Sequence, residues 1–190
     1  MAQSLADRRD QEFVLHEMLE AYNLSENDRF QDFNRKTMDM VVSEARKIAV
    51  KEILPTNKEG DEAGCSLADG RVTVPESFQK AFSLLCDGEW LAMCDDPEFG
   101  GQGMPQVLAT AAGELFTGAN SALMMYLGLT HGAGKLVEEF GSQAQKDIFL
   151  KNLYSGKWAG TMCLTEPEAG SDVGSLSTTA VKNDDGTYTI

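Results

Sequence analysis

The spacing of apolar residues along the chain predicts that helices make up most of the protein. Apolar residues recur at helical spacing from Phe30 to Ile53, and charged residues fill the positions between them. Ser25 and Asp28 have the spacing of a capping box, which predicts that this helix begins there. Pro55 predicts its end, because the residue before a proline is pushed out of the helical region.

Turn-forming residues divide the rest of this region into further helices and two loops. Four more helices are predicted, over residues 11–22, 73–88, 106–117 and 142–156. Residues 56–71, which are polar and rich in glycine and aspartate, are predicted to be a loop. Residues 95–105, with three glycines and two prolines, are predicted to be a second loop. The segment Ala122–Leu129 is apolar on every side, which predicts a helix at the centre of its bundle.

The pattern changes from a helical to an alternating period at Lys157. The alternation predicts one strand from Lys157 to Thr165, and a second strand is predicted over residues 176–182. Asn183–Gly186 has the sequence of a hairpin turn, so the residues that follow it are predicted to form a third strand.

These elements together predict a mainly α protein with two domains. Residues 1–156 are expected to form an N-terminal helical bundle, and residues 157–190 the first strands of a β-barrel or sandwich domain. The chain stops inside a predicted strand, and natural domains seldom leave such an edge unpaired. We therefore expect the chain to be the N-terminal part of a longer protein.

Charge and composition exclude several classes of protein. The chain has 16 Lys and Arg against 30 Asp and Glu, a formal net charge of −14, whereas nucleic-acid binding needs a basic face. No apolar run approaches the ~20 residues of a membrane-spanning helix, and the N-terminus has no signal-peptide pattern. The four cysteines lack zinc-binding spacing. The cysteine spacing and the missing signal-peptide pattern together favour reduced thiols in a cytoplasmic protein.

Motifs for two common kinds of site are incomplete. Gly101 and Gly103 would begin a dinucleotide fingerprint, but its third glycine position is occupied by Gln106 and no βαβ pattern surrounds it. His16 and His131 stand far apart in the sequence, and neither accompanies a Ser or Cys nucleophile in a recognisable motif. We expect a packing or helix-end role for His131 rather than a catalytic one.

One segment, Met162–Asp172, combines the end of a predicted strand with a tight turn. Gly170 permits a close approach to a ligand, and Ser171 adds a hydroxyl group. Successive backbone N–H groups in such a turn form an anion-binding nest. On chemistry alone, a strand that runs into a loop without any ligand is the favoured interpretation.

The same segment resembles the flavin signature of the acyl-CoA dehydrogenase family, written CLTEPEAGSD in this chain. The resemblance covers nearly the whole sequence and includes the stretches PEFGGQGMP, FGSQAQKDIFLKNLYSGKWAG and DDGTYTI. RDQEFVLHEML, LPTNKEGDEAGC and MYLGLTHGAG are similar to the branch that contains methylthiopropanoyl-CoA dehydrogenase-like enzymes. Glu168 is a departure, because many members of the family have glycine there.

The resemblance implies an FAD-dependent enzyme that converts an acyl-CoA thioester to the 2-enoyl-CoA. In this family a carboxylate removes the α-proton while the β-hydrogen passes as hydride to the flavin. The match implies that Met162 and Leu164 lie along the flavin ring and that Thr165 hydrogen-bonds near its N1–C2=O edge. It also implies that Gly170 and Ser171 face the FAD pyrophosphate.

The resemblance further implies how the substrate is bound and which group this chain lacks. Ser171 is expected to contact the CoA side of the substrate, and Met125 and Gly128 the floor of the acyl pocket. Ordinary bundle packing explains Met125 and Gly128 equally well. The family's catalytic glutamate lies in a C-terminal helical domain beyond Ile190, so no catalytic residue is predicted within this chain. We expect the chain alone to be inactive and to hold FAD weakly or not at all.

The partners and the alternative functions follow from the same resemblance. It implies an acyl-CoA substrate, an electron-accepting flavoprotein and assembly into a homo-oligomer. These residues do not separate a dehydrogenase from an acyl-CoA oxidase, and a non-catalytic interaction module with the same fold is an alternative of another class. Sequence beyond Ile190 separates the enzyme from the module, because only the enzyme needs a C-terminal domain with a suitably placed glutamate.

Overall fold

The computed structural model describes residues 5–190. The chain divides into two compact units, of which the first ends at Gly160 and the second is formed by Thr161–Ile190. Helices build the first unit, whereas turns and one short hairpin make up the second. The prediction of a mainly α protein is confirmed.

The described part of the first unit contains seven α-helices and one β-hairpin. The helices are α1 (Arg8–Phe13), α2 (Arg35–Ile48), α3 (Leu54–Ala63), α4 (Glu76–Asp87), α5 (Gln106–Ala119), α6 (Ser121–Phe140) and α7 (Gln143–Tyr154). The antiparallel hairpin consists of β1 (Ser66–Ala68) and β2 (Arg71–Thr73). Single π-helical turns, Val14–Met18 and Ala49–Ile53, follow α1 and join α2 to α3. Shorter 3₁₀ turns cover Ala21–Glu26, Asp28–Phe30 and Pro97–Phe99.

Helix α2 begins later than predicted, and the helical path continues past its predicted end. The side-chain oxygen of Asn34 caps α2 by accepting the N–H of Thr37 at 3.2 Å. The hydroxyl of Ser25 instead donates to the carbonyl of Tyr22, so the predicted start at Ser25 is wrong. Pro55 does not end the helical path but lies in the first turn of α3, where a missing N–H costs little.

Most of residues 56–71, predicted to be a loop, form regular structure. The first half belongs to α3, and the second half enters the hairpin, whose turn contains Asp69 (φ 51°) and Gly70 (φ 73°). Two successive positive φ angles are typical of the type I′ turn, whose twist matches that of paired strands. Leu67 pairs with Val72 in the hairpin register, and both side chains are exposed. The polar composition was misleading because this hairpin is stabilised by turn chemistry rather than by burial.

The other predicted helices fall where local signals mark their ends. Helices α4, α5 and α7 closely match their predicted segments. Ser142 and Gln145 form the capping box of α7, each side chain accepting the other's backbone N–H. The helix predicted over residues 11–22 is interrupted, because Glu20 adopts a left-handed conformation with φ 45°.

The main hydrophobic core lies between α2, α4, α5 and α6 and includes the π-helical turn after α2. Its fully buried side chains include Ile53, Leu85, Leu115 and Phe116. The ring of Trp90 packs edge-on against Phe116, with the ring centroids 5.2 Å apart. This core connects the helix that carries one group of predicted site residues, α6, to the rest of the unit.

Helix α6 is not enclosed by its neighbours in the first unit. Leu123, Leu127 and Thr130 form its buried stripe, whereas Met125 is 59% exposed and Tyr126 is 43% exposed. The helix predicted at the centre of its bundle is therefore covered on only one side by the described elements of this unit. Across residues 5–190, no helix combines the length and apolarity needed to cross a membrane.

The second unit contains one short antiparallel hairpin. Its strands are β3 (Val181–Lys182) and β4 (Tyr188–Thr189), and the connecting turn includes Gly186 with φ 84°, as the turn sequence predicted. The strand predicted from Lys157 to Thr165 does not form within the described chain. A strand needs a neighbour to pair its N–H and C=O groups, and no other described segment pairs with this one.

Candidate functional site

The segment singled out by the sequence forms a closed turn in the second unit. Glu166 and Ala169 exchange two backbone hydrogen bonds, both 3.1 Å long, around Pro167 and Glu168. Ala169 is 1% exposed, which anchors the end of the turn. The chain then leaves the turn at Gly170.

Gly170 and Ser171 follow this turn with their hydrogen-bond donors free. Within residues 5–190, neither their backbone N–H groups nor the hydroxyls of Ser171 and Thr165 have a hydrogen-bond partner. A Cβ atom built on Gly170 would meet no atom within 4 Å. The stretch therefore offers free donors beside open space, as an anion-binding turn requires.

The chain beyond Ser171 is held by the side chain of Asp172. One carboxylate oxygen of Asp172 accepts the N–H of Gly174 at 3.1 Å, and the other accepts the hydroxyl of Ser175 at 2.6 Å. These contacts close the 3₁₀ turn Val173–Ser175. The free donors at Gly170 and Ser171 thus lie between two closed turns.

The carboxylate of Glu166 binds four donors from the far end of the same loop. It accepts the N–H and the hydroxyl of Ser177 at 2.8 and 2.9 Å, the N–H of Thr178 at 3.2 Å, and the hydroxyl of Thr178. The hydroxyl of Thr178 and the two donors of Ser177 lower the pKa of Glu166 to about 2. No sequence motif marks this contact, because the partners are 11 and 12 residues away along the chain.

The residues before the turn add apolar surface to these polar donors. Met162 is 54% exposed and Leu164 is 43% exposed, and Thr165 beside them is also exposed. Ligand sites commonly combine apolar walls with a few placed polar groups. The five site residues predicted between positions 162 and 171 are therefore all exposed and belong to one unit.

The two residues predicted for the acyl pocket lie on the open face of α6, in the first unit. Met125 is largely exposed, and a Cβ atom built on Gly128 would meet no atom within 4 Å. Residues three apart are neighbours on a helix surface, so Met125 and Gly128 share one face. That face offers open space next to a flexible apolar side chain.

A separate cavity of about 300 Å³ lies between α4 and α6. Its lining is mostly apolar and includes Phe78 and Leu123, with Thr130 among the polar contributors. Leu123 and Thr130 belong to the buried stripe of α6. This cavity is therefore distinct from the open face that carries Met125 and Gly128.

A polar cluster, formed by Asp95, His131, Lys135, Glu138 and Tyr154, connects the loop before α5 to α6 and α7. The carboxylate of Asp95 is 1% exposed and lies 2.7 Å from His131 Nε2 and 3.4 Å from Lys135 Nζ. Lys135 also contacts Glu138 at 2.5 Å, and the hydroxyl of Tyr154 donates to Glu138 at 2.7 Å. Sequence spacing alone does not reveal this cluster, because its members come from three separate elements.

The charges of the polar cluster compensate one another. Burial opposes ionisation of Asp95, but the hydrogen bond and charge of His131 and the charge of Lys135 outweigh it, so the pKa of Asp95 lies below its ordinary value. Burial also opposes the charged form of Lys135, yet Glu138 and Asp95 raise its pKa. Burial raises the pKa of Tyr154, and its hydrogen bond to Glu138 adds to that effect. The cluster therefore joins helices and offers no free acid or base.

Comparisons with known proteins agree on one family. Residues 35–157 match the family model described as acyl-CoA dehydrogenase, N-terminal domain. The chain is 41% identical over 138 residues to the 3-methylmercaptopropionyl-CoA dehydrogenase of Ruegeria pomeroyi, covering 73% of this chain and 24% of that protein. It is 33% identical over 184 residues to a butyryl-CoA dehydrogenase of Syntrophomonas wolfei, and this match covers 95% of this chain and 30% of that protein.

The fold is similar to that of a solved structure with a related name. The butyryl-CoA dehydrogenase of Megasphaera elsdenii superimposes with a TM-score of 0.64 at 26% sequence identity, covering 80% of this chain and 38% of that chain. The chain spans only 24% and 30% of the two curated relatives described above. Because the match to the Syntrophomonas wolfei protein leaves only 5% of this chain outside it, it includes the turn at Gly170.

Proposed function

The chain belongs to the acyl-CoA dehydrogenase family, and from this membership we propose that it is the N-terminal portion of a flavin-dependent enzyme that oxidises an acyl-CoA thioester to the 2-enoyl-CoA. The observation that carries the proposal is the turn at Gly170 and Ser171, where free donors stand beside open space. Residues 1–156 are its helical N-terminal domain, and residues 157–190 begin its flavin-binding β domain.

FAD is the cofactor that we assign to the second unit. Gly170 and Ser171 provide N–H groups and a hydroxyl for the pyrophosphate, and Thr165 provides a hydroxyl for the N1–C2=O edge of the flavin. Met162 and Leu164 provide apolar surface for the ring. Local donors of this kind fit a chain with a net charge of −14, because its overall charge does not attract an anionic cofactor.

The chain's own residues would bind and stabilise, while the cofactor supplies the redox chemistry. When bound, FAD is the acceptor for the hydride that leaves the β-carbon of the substrate. Thr165 would place a donor where negative charge develops, which is worth most when the donor is preorganised. Asp95 and Glu138 are held in ion pairs, and Glu166 is saturated with hydrogen bonds. The family resemblance assigns the α-proton to a glutamate beyond Ile190.

Substrate contacts are assigned within each unit separately, from the family resemblance. Met125 and Gly128 on the open face of α6 would contact the acyl group, and Ser171 would contact the CoA side. Their exposure supports this assignment, since a pocket residue needs free space beside it. An electron-accepting flavoprotein, assembly into a homo-oligomer and a cytoplasmic location remain predictions drawn from the family resemblance and the cysteine pattern.

Gene sequence downstream of Ile190 tests the proposed enzyme directly. A C-terminal helical domain with a glutamate placed to reach the substrate is expected. A gene that ends at Ile190 would contradict the enzyme and favour the non-catalytic module. Oxygen consumption by the purified full-length product would identify an acyl-CoA oxidase, whereas reduction of an electron-accepting flavoprotein would identify a dehydrogenase.

Gly170→Ala tests the FAD assignment without disturbing the fold. The added methyl group meets no atom within 4 Å, so the free energy of unfolding should change by less than about 0.5 kcal/mol. In the full-length gene product, the methyl group should hold the pyrophosphate away from the backbone. We expect the dissociation constant for FAD to rise about tenfold, equivalent to ~1.4 kcal/mol, in a fluorescence titration of the apoprotein.

Gly113→Ala is the matched control for this substitution. Gly113 lies within α5, and a Cβ atom there also meets nothing within 4 Å. Its variant should bind FAD as the wild type does. An unchanged affinity in Gly170→Ala would contradict the role of Gly170, and a full-length wild type that binds no flavin would contradict the proposed function.

Gly128→Leu tests the assignment of the acyl pocket. Leucine favours the helix more than glycine does, and the site has no neighbouring atom within 4 Å, so α6 should remain intact. The side chain should fill space that a long acyl group needs. We expect kcat/KM for the longest accepted acyl-CoA to fall about tenfold relative to kcat/KM for the shortest. A loss of this size corresponds to the contacts of one or a few methylene groups. A constant ratio would show that Gly128 does not line the pocket.

A further inference from the structure

We propose that Glu166 is a positioning residue that holds the anion-binding turn at Gly170 and Ser171 in its binding conformation. The inference rests on the proposed function, because it concerns how that same turn would hold a diphosphate. Glu166 is not expected to contact the cofactor. It acts through the loop that it closes, residues 166–178, referred to below as the signature loop.

Glu166 is the first residue of the signature loop, and its carboxylate binds the last two residues of that loop. Its partners are the backbone N–H groups of Ser177 and Thr178, at 2.8 and 3.2 Å, and both of their hydroxyls. An ionised carboxylate has about four lone-pair sites, so the acceptor capacity of Glu166 is fully used. The side chain of Glu166 therefore joins positions that are 11 and 12 residues apart in the sequence.

Two smaller closures lie inside the signature loop. The first is the pair of backbone hydrogen bonds between residues 166 and 169, and the second is the set of bonds to the carboxylate of Asp172. Gly170 and Ser171 lie between these closures, and their N–H groups stay free. The loop is thus held on both sides of the proposed ligand contact and open at the contact itself.

Closing the loop in advance favours binding because it prepays a conformational cost. A flexible loop loses conformational freedom when it binds, and that loss subtracts from the affinity. Because Glu166 closes the loop when the protein folds, this conformational freedom is lost on folding and not on binding.

Glu168 provides a matched control within the same turn. It lies two residues from Glu166 and carries the same charge, and within residues 5–190 its carboxylate makes no hydrogen bond. Loss of Glu168 removes one negative charge without opening the signature loop. A comparison of the two positions therefore separates loop closure from a general effect of charge.

The experiment uses Glu166→Ala, Glu166→Gln and Glu168→Ala in the full-length gene product, freed of flavin and checked for folding by circular dichroism. Amide hydrogen exchange at Ser177 and Thr178 reports loop closure without any cofactor, and titration with FAD reports affinity. We expect Glu166→Ala to accelerate exchange at both amides at least tenfold and to weaken FAD binding about tenfold. Glu166→Gln, which keeps one acceptor oxygen, should be intermediate, and Glu168→Ala should match the wild type.

The outcomes separate this inference from the proposed function. Unchanged exchange at Ser177 and Thr178 in Glu166→Ala would overturn loop closure. Faster exchange with unchanged FAD affinity, or an equal loss of affinity in Glu168→Ala, would overturn the positioning role. If the wild type itself binds no FAD, the proposed function fails, and the exchange rates alone still decide whether Glu166 closes the loop.

Discussion

Replacing Asp95 by alanine should lower the free energy of unfolding by about 3 kcal/mol, at the lower end of the range for breaking a buried ion pair. The carboxylate is 1% exposed and compensates the Lys135 ammonium, and its loss would also leave His131 Nε2 without its 2.7 Å partner. His131 and Lys135 are 35% and 41% exposed, so water offsets part of the loss. Urea unfolding followed by circular dichroism measures the difference.

The pH dependence of stability provides a second measurement of the same contact. The pKa of Asp95 lies below its ordinary value of 3.8, so its stabilising contribution is present above that value and is lost as the pH falls through the folded-state pKa. The pKa of Lys135 lies above its ordinary 10.5, so its contribution is present below that value and is lost as the pH rises through the folded-state pKa. The wild type should therefore exceed Asp95→Ala in melting temperature across neutral pH, and the gap should narrow below about pH 4.

Asp96→Asn is the control for both measurements. Asp96 is exposed, and its side-chain oxygen accepts the N–H of Glu98 at 2.8 Å, a bond that asparagine can also accept. This variant should lie within about 0.5 kcal/mol of the wild type. Equal losses in the two variants, or a stability gap for Asp95→Ala that persists unchanged at pH 3, would contradict the ion-pair role.

Gly101→Ala should destabilise the protein by about 2–3 kcal/mol although it adds only one methyl group. Gly101 is buried, and a Cβ atom there would overlap the backbone carbonyl of Asp95. Backbone atoms do not rotate away as a side-chain end can. The N–H of Gly103 also binds that carbonyl at 3.0 Å, and the N–H of Gln102 binds Ala92 at 3.0 Å, which keeps the two segments together.

The contrast with Gly113→Ala isolates the steric cause. Both substitutions add the same atom, but Gly113 lies inside α5 with no atom within 4 Å of a Cβ. Alanine is the better helix former, so Gly113→Ala should raise stability by up to about 1 kcal/mol. Thermal unfolding of both variants measures the contrast. A Gly101→Ala protein as stable as the wild type would contradict the packing described for this loop.

The helices that could be predicted from sequence are those with local signals at their ends. Helix α7 has a capping box at Ser142, and α4 and α5 each begin directly after a proline. These signals act within one turn and need no tertiary contact. Pro55 was predicted to end a helix but lies in the first turn of α3. A proline is compatible with either position, and here the π-helical turn before it leads the chain directly into α3.

The candidate site divides in the same way. The stretch from Met162 to Ser171 is contiguous, so one resemblance identified all of its predicted residues together. The polar cluster around Asp95 and the contacts of Glu166 join positions that are distant in sequence. Nothing in their spacing marks them as partners.

The sequence by itself determined the fold class, the family resemblance and a donor-rich turn at Gly170, because each depends on periodicity or on consecutive residues. Only the tertiary structure decided which apolar faces are covered, as the exposed side of α6 demonstrates. It also decided which carboxylates have partners. Asp95 contacts His131 and Lys135, and Glu166 accepts hydrogen bonds from the far end of its loop. Burial and long-range pairing depend on what packs opposite a residue, and a residue's neighbours in sequence do not specify that surface.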